Sequence, residues 1–332
     1  MPGNGMAATA STEAVVDPFA AVRPGLIRVD EALRQALTAA GDHVGELGSH
    51  LLAGGKRLRP ALVLLSGALS GADADALLPV AAACEIIHMA TLVHDDLIDA
   101  ADRRRGRPTV HAKWGLAESV LIGDHLFARA FSMLAATGDP RVVRVMSDVV
   151  ARTCAGEIEE VAAQWDPGVT VEGYFSRVRG KTGFFIAECC RVGAIVGDAP
   201  LEWLEALEAY GNAVGDCFQV VDDLLDLTAS PEALGKPTGS DLRAGVYTLP
   251  VVWALAGDRG PELRRLLARR PVDDQAVAQI LALLEASGAL AHAAREALAL
   301  AERAESALAA LPAGPEQLAL ASLARALVHR VR

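Results

Sequence analysis

Hydrophobic positions along the chain recur at helical rather than alternating spacing from end to end. Leu26, Val29, Leu33 and Leu37, then Val44, Leu47 and Leu51, mark the inner face of one or two helices over residues 24–53. Gly54-Gly55 stops that run, and Pro60 is placed to occupy the first position of an apolar helix reaching residue 71. Gly71-Ala-Asp-Ala-Asp75 caps the next helix, whose apolar stretch from Ala81 to Val93 runs straight into charge at Asp95. Helical patterns follow over residues 110–135 and 141–164, then, after a Trp165-Asp-Pro-Gly168 turn, over residues 171–196. The apolar run Trp203 to Val221 ends in a second acidic cluster, and a Gly/Pro/Ser-containing loop covers residues 228–240. Residues 261–332 pattern as Ala/Leu/Arg-rich helices with no chemical signature, a scaffold. No repeat of fixed period and no glycine-rich hairpin signal breaks this pattern. It predicts one all-α domain over residues 17–332 behind a small, polar tail, residues 1–16, expected to be disordered.

Asp95-Asp-Leu-Ile-Asp99 places Asp95 and Asp99 at i and i+4, on one helix face, where two carboxylates repel unless a cation lies between them. Hard oxygen donors with open positions suit Mg²⁺, which takes one or two protein carboxylates and completes its shell with phosphate oxygens and water. A lone cluster of this kind is more often a solvated helix face. Here Asp222-Asp-Leu-Leu-Asp226 repeats it, again ending an apolar helix, with Gln219 on the face shared by Asp222 and Asp226. Two such clusters are hard to explain as solvated surface. Arg103, Arg104 and Arg105, near the expected helix end before Gly106, offer guanidinium forks to phosphate oxygens.

Lys56, Arg57 and Arg59 flank a glycine-marked helix start, where backbone N–H groups and the helix dipole also favour an anion; a solvated basic turn is the plainer alternative. His88 lies two turns before Asp95 on its face, although a single histidine on an apolar helix is usually a satisfied core residue. Phe127 and Phe131, at i and i+4, read as core packing, and Glu157, Glu159 and Glu160 as a solvated face. Lys181-Thr182 sits among glycines like a phosphate-binding loop, but lacks the GxxxxGK[ST] spacing and the preceding strand. The pair is expected inside a helix, aimed at the same site as the acidic clusters.

Composition narrows the picture. Of 332 residues, 52% are hydrophobic and only 4% aromatic, which favours helix over strand. A net charge of −11 argues against nucleic acid, so the local cation clusters suit a small anionic ligand. Cys84, Cys154, Cys189, Cys190 and Cys217 show neither CxxC nor metal-ligand spacing and read as reduced core residues of a cytoplasmic protein. Residues 1–16 lack the basic and apolar regions of a signal peptide, and Pro79, Glu85 and His88 interrupt the apolar runs, so no transmembrane span of about 20 residues is expected.

The landmarks Gly54-Gly-Lys-Arg-Leu-Arg-Pro60, Glu85-Ile-Ile-His88, Asp95-Asp-Leu-Ile-Asp99 with Arg104-Arg-Gly106, Gly123-Asp124, Lys181-Thr182, Phe218 to Asp226, Gly235-Lys-Pro237 and Thr248-Leu-Pro250 occur in one order over residues 25 to 250. In this the chain resembles the trans-isoprenyl diphosphate synthases, or polyprenyl synthetases. The resemblance implies the isoprenoid synthase fold, a helical bundle around a deep apolar cavity with the acidic clusters facing across its mouth. It implies that Asp95, Asp99 and Asp222, with Asp226 in the metal set, hold three Mg²⁺, and that Asp96 and Asp223 support them. Arg104, Lys181, Thr182, Gln219 and Lys236 would hold an allylic diphosphate, and Lys56, Arg59, His88 and Arg105 isopentenyl diphosphate. Catalysis would rest on Asp95, Asp96, Asp99, Arg104, Lys181, Asp222 and Asp223. One departure stands out: many members carry Lys two residues before the Thr-Leu-Pro triplet, where this chain has Val246, and Arg243 is the nearest substitute.

The activity implied is head-to-tail condensation of isopentenyl diphosphate with an allylic primer, farnesyl or geranylgeranyl diphosphate. Short-chain members often carry bulky aromatics four and five residues before the first aspartate, whereas here Thr91 and Ala90 are small. Each helical turn passed adds ~5.4 Å of cavity depth, with Met89, Phe127 and Phe131 as candidate stops, so the resemblance implies a product of roughly C30 to C50. The alternatives are a geranylgeranyl or other short-chain synthase, a class I terpene cyclase, or a non-catalytic prenyl-binding subunit. The basic Lys56–Arg59 site and the second complete acidic cluster count against the last two. A homodimer with transient membrane association for product release is expected, with a helper subunit as the other arrangement.

Overall fold

The computed structural model bears out the all-α expectation and describes residues 17–38, 41–52, 54–104, 106–230 and 237–329. The tail expected over residues 1–16, and the site candidates Arg105 and Lys236, lie outside the described residues. Helices α1 (Arg23–Thr38), α2 (Asp42–Leu52), α3 (Leu58–Leu69) and α4 (Ala74–Ile98) come first. A two-stranded hairpin, β1 (Arg103–Arg104) and β2 (Arg107–Pro108), leads to α5 (Val110–Trp114), α6 (Leu116–Ala136) and α7 (Pro140–Ala162). Helix α8 (Val171–Val178) passes through a π-helical turn (Arg179–Gly183) into α9 (Phe184–Val196), followed by the long α10 (Leu201–Thr228). Short helices α11 (Ser240–Ala244) and α12 (Leu249–Ala256) precede α13 (Gly260–Leu267), α14 (Asp274–Ala286), α15 (Ala289–Ala307) and α16 (Pro315–Val328).

Helix α9 is the central element. Phe185, Ile186, Ala187, Cys189, Cys190, Val192 and Ala194 are all buried, so it packs on every side. Small residues set how closely its neighbours approach. A Cβ on Gly193 would stand 2.2 Å from the Val63 carbonyl oxygen of α3, and one on Gly211 of α10 would stand 2.4 Å from Ala187 Cα. The scarcity of aromatics therefore goes with close backbone packing, and each fully buried Leu or Val contributes ~1.5–3 kcal/mol.

Two long helices carry the acidic clusters. The Asp73 side chain caps α4 by accepting the Asp75 N–H at 2.8 Å, and the helix runs 25 residues to Ile98. Asp99 closes it with a 2.8 Å bond from its N–H to the Asp95 carbonyl, which keeps both residues on the predicted face. The second cluster occupies the last two turns of α10.

Several expectations need correction. Helix α3 begins at Leu58, two residues before Pro60, because Arg57 takes a left-handed conformation (φ 53°) as N-cap after Gly54 and Gly55. The arginine run is not a helix end: Arg103 and Arg104 pair with Pro108 and Arg107 in a hairpin whose turn holds Gly106 at φ 76°. Four cysteines are buried, but Cys154 is exposed. By length and composition α4 and α6 are both apolar enough to cross a membrane, despite the interruptions at Pro79, Glu85 and His88. Helix α4 is largely buried inside the protein, whereas only a third of the apolar window of α6 is.

Candidate active site

A cavity of about 750 Å³ opens where α4, α7, α8, the π turn and α10 converge. Asp96 and Asp99 come to it from α4, Arg103 and Arg104 from the hairpin, and Glu160 from α7. Tyr174 and Arg177 of α8, Lys181 and Thr182 of the π turn, and Gln219 and Asp223 of α10 complete the polar wall facing Asp241 and the segment Val246-Tyr247-Thr248. Each acidic cluster thus contributes to this opening, Asp96 and Asp99 from the first and Asp223 from the second, whereas Asp95, Asp222 and Asp226 do not line it.

Asp95, half-buried beside this cavity, is held out of its ordinary range. Burial is the main cause; Glu157 and Asp99 add repulsion, Lys181 and Arg104 oppose it, and the carboxyl is pushed up to about 7. Burial also raises Asp96, whose Oδ1 accepts a 2.7 Å bond from Arg104 Nε. Asp96 thereby anchors Arg104 at the cavity edge.

Lys181 and Thr182 lie on the π turn, a feature common at functional sites. Two glycines on neighbouring helices press against it. A Cβ on Gly156 of α7 would stand 2.7 Å from Lys181 N, and one on Gly215 of α10 would stand 2.5 Å from Gly183 Cα. Lys181 Nζ sits between Glu157 Oε2 at 2.7 Å and Glu160 Oε1 at 2.6 Å. Burial works against its charge, but Glu160 and Glu157 more than offset that, and the ammonium is held above the usual lysine range. The solvated-face reading of Glu157 and Glu160 is therefore corrected: Glu157 is buried, and both hold the site lysine.

On α10 the network runs Thr182, Gln219, Asp223, Tyr174. Thr182 Oγ1 donates to Gln219 Oε1 at 3.4 Å, Gln219 Nε2 to Asp223 Oδ1 at 2.8 Å, and the Tyr174 hydroxyl to Asp223 Oδ2 at 2.6 Å. Gln219 therefore bonds to Asp223, not to the Asp222–Asp226 face. Burial, with repulsion from Asp241, pushes Asp223 up to about 8 against the two hydrogen bonds. Asp226 is buried, and its Oδ2 accepts the Asp241 N–H at 3.2 Å while its backbone oxygen accepts Gly239 N–H at 2.8 Å. That folds the chain back so that α11 borders the cavity. Asp222, half-buried next to Asp223, completes the cluster.

The Lys56–Arg59 stretch divides its labour. Arg57 is structural: Nε bonds Asp30 at 2.7 Å, Nη1 bonds Glu85 at 3.0 Å, and two further bonds reach the Gly54 and Leu52 carbonyls. Lys56 is exposed, and Arg59 lies over the Phe185 ring at 4.6 Å with its Nε unpartnered. These two and the half-buried His88 do not border the 750 Å³ cavity, nor do Ala90, Thr91, Phe127 and Phe131. Met89 lines a separate space of about 70 Å³ with His50 and Leu51, and the two phenylalanines pack on the core. Arg243, the expected substitute cation, is turned away onto the Val272 carbonyl (3.1 Å) and Asp274 (2.7 Å).

Among the described residues no three His, Cys, Asp or Glu side chains converge into a ready-made metal cage. The Asp99 carboxylate at the cavity, with Asp95 one turn before it on α4 and the cations Arg104 and Lys181 on the same wall, suits a hard divalent ion that takes most of its ligands from substrate and water.

Comparison with known proteins follows the same lines. The family model for polyprenyl synthetase matches residues 42–284. The heptaprenyl diphosphate synthase component 2 of Geobacillus stearothermophilus is 44% identical over 235 residues, covering 70% of this chain and 73% of that protein. The nonaprenyl diphosphate synthase of Mycobacterium tuberculosis is 38% identical over 316 residues, 94% of each chain. A polyprenyl synthase of Caulobacter crescentus, solved with calcium and isoprenyl diphosphate, superposes with a TM-score of 0.89 at 34% identity, covering 95% of this chain and 97% of that one.

Proposed function

The chain belongs to the polyprenyl synthetase family and is a prenyltransferase of the trans-polyprenyl diphosphate synthase type, and on that premise we propose that it extends a farnesyl or geranylgeranyl primer with isopentenyl diphosphate to an all-trans product of medium to long chain. The observation that supports this is the presence of Asp96 and Asp99 from α4 and Asp223 from α10 at one cavity walled by Arg104, Lys181, Thr182 and Gln219.

In this reading Asp95, Asp99 and Asp222 hold three Mg²⁺, which supply positive charge against the departing diphosphate. Asp226 stands behind them, spending one oxygen on Asp241 N–H, while Asp96 fixes Arg104 and Asp223 fixes Gln219. Arg104, Lys181, Thr182 and Gln219 orient the allylic diphosphate, and Lys56, Arg59 and His88 hold the second substrate apart from it. The allylic C–O bond breaks, its electron pair leaves on the diphosphate, and the double bond of isopentenyl diphosphate attacks the carbocation. The released pyrophosphate takes the proton lost in forming the new double bond. Preorganised cations lower this barrier because the charge they meet develops in a water-poor site.

The small Ala90 and Thr91 on α4, one turn before Asp95, are the sequence feature that favours a long product although neither borders the 750 Å³ cavity, and a cytoplasmic enzyme suits its free cysteines. A homodimer is favoured by apolar side chains exposed on α6 and α7. Incubation with Mg²⁺, isopentenyl diphosphate and either primer, followed by chromatography, tests the reading: pyrophosphate release and long-chain products are expected, shortened in Thr91→Phe. A product that stops at geranylgeranyl from the wild type would overturn the chain-length reading, and no Mg²⁺-dependent pyrophosphate release would overturn the activity.

A further inference from the structure

We propose that Arg177 is a diphosphate-binding residue of this site, supplying the cation that the Val246 wall does not. Arg177 is near the end of α8, one turn before Lys181, and its side chain borders the same cavity. It is only 8% exposed. One guanidinium nitrogen, Nη2, donates to the Tyr247 carbonyl at 3.2 Å, next to Val246; Nε and Nη1 are buried and have no hydrogen-bond partner. A guanidinium cannot shed its proton to escape burial, so two unanswered donors are costly unless a ligand answers them. Of the other cations on this wall, Lys181 is gripped by Glu157 and Glu160 and Arg104 by Asp96, while Arg103 is exposed on the hairpin and bonds the Gly106 carbonyl. Beside Arg177 the wall at residue 246 is an uncharged valine, and Arg243 points elsewhere. The planar fork of an arginine tethered at one corner suits a doubly charged phosphate oxygen pair. The ligand class is the allylic diphosphate, so the inference deepens the proposed function and rests on it.

The test measures calorimetric binding of two probes, farnesyl thiodiphosphate and isopentenyl diphosphate, to the full chain with Mg²⁺, alongside thermal melting. Arg177→Met should weaken the farnesyl analogue about tenfold or more while changing isopentenyl diphosphate by less than about twofold. Its melting temperature should hold or rise, because an unpaired buried charge has been replaced by an apolar chain of similar length. Adding Val246→Lys to that variant should recover most of the lost affinity. Unchanged binding of the farnesyl analogue by Arg177→Met overturns the inference, and so does an equal loss for both probes with a lower melting temperature, which would make Arg177 a prop for Tyr247. Should Arg177→Met not fold, Arg177→Lys decides: a loss confined to the farnesyl analogue supports the inference, and wild-type or equally reduced binding of both probes overturns it. A wild-type protein that binds no farnesyl analogue would overturn the proposed function as well, whereas normal wild-type binding with an indifferent Arg177→Met removes only this inference.

Discussion

Asp95 and Asp223 are carboxylates that the fold makes reluctant to ionise, at about 7 and about 8. A raised folded pKa on an acid means the folded state keeps protons that the unfolded chain has already released, so stability falls as pH rises through that window. In EDTA the melting temperature should drop by several degrees between about pH 5.5 and about pH 8.5, and Mg²⁺ should remove the part of the drop that Asp95 contributes. A pH-independent melting curve in EDTA would contradict the burial described for these two groups. At this scale the sequence was legible wherever charge interrupts an apolar run, as at Asp95 and Asp222. It was not legible for Glu157, Glu160, Tyr174 or Arg177. Their helices are amphipathic by ordinary rules, and what makes each residue functional is a partner elsewhere in the fold: Lys181, Asp223 or Tyr247.

The π turn is the element on which Lys181 depends. The glycines around the Lys-Thr pair were visible in the sequence, but the widened turn was not, because its cause lies in α7 and α10. Gly156→Ala tests that account. A new Cβ would meet backbone, Lys181 N at 2.7 Å and Gly180 C at 2.8 Å, so no side-chain rotation relieves it. A cost of ~1–3 kcal/mol in stability is expected, opposite in sign to the gain of ~0.5–1 kcal/mol that Gly→Ala brings at an unconstrained helix position. Because the displaced backbone is that of Lys181, kcat/KM for the allylic primer should fall about tenfold beyond any effect on isopentenyl diphosphate. A variant as stable and active as the wild type would show that the helices do not hold the turn. The hairpin at Arg103–Pro108 escaped sequence reading for a different reason: two residues per strand leave no alternating pattern to detect.

For the whole molecule, the all-α class and the order of the main helical stretches followed from periodicity, since long apolar faces must be buried somewhere, but breaks such as the one between α5 and α6 did not. What periodicity could not say is which apolar face stays uncovered. Leu116 and Leu121 on α6 are each 67% exposed, and Ile158 on α7 is 70% exposed. If a second copy covers the exposed side of α6 that carries Leu121, Leu121→Glu should shift the mass measured by light scattering from dimer to monomer at micromolar concentration, with the helical circular dichroism unchanged. A dimer that survives the substitution would move the contact elsewhere on the surface.

The grip of Glu157 and Glu160 on Lys181 has a consequence for what the empty enzyme will admit. Among the described residues the cavity wall carries five acidic and four basic side chains, so an unescorted anion meets as much repulsion as welcome. Free pyrophosphate or orthophosphate that engages Lys181 must compete with two carboxylates and then sit beside them. A diphosphate that enters with its own divalent counter-ions brings the charge that leaves those glutamates content. The vestibule is in effect neutral toward bare phosphates and receptive to their metal complexes, and spent pyrophosphate stripped of its ions is the species it holds least.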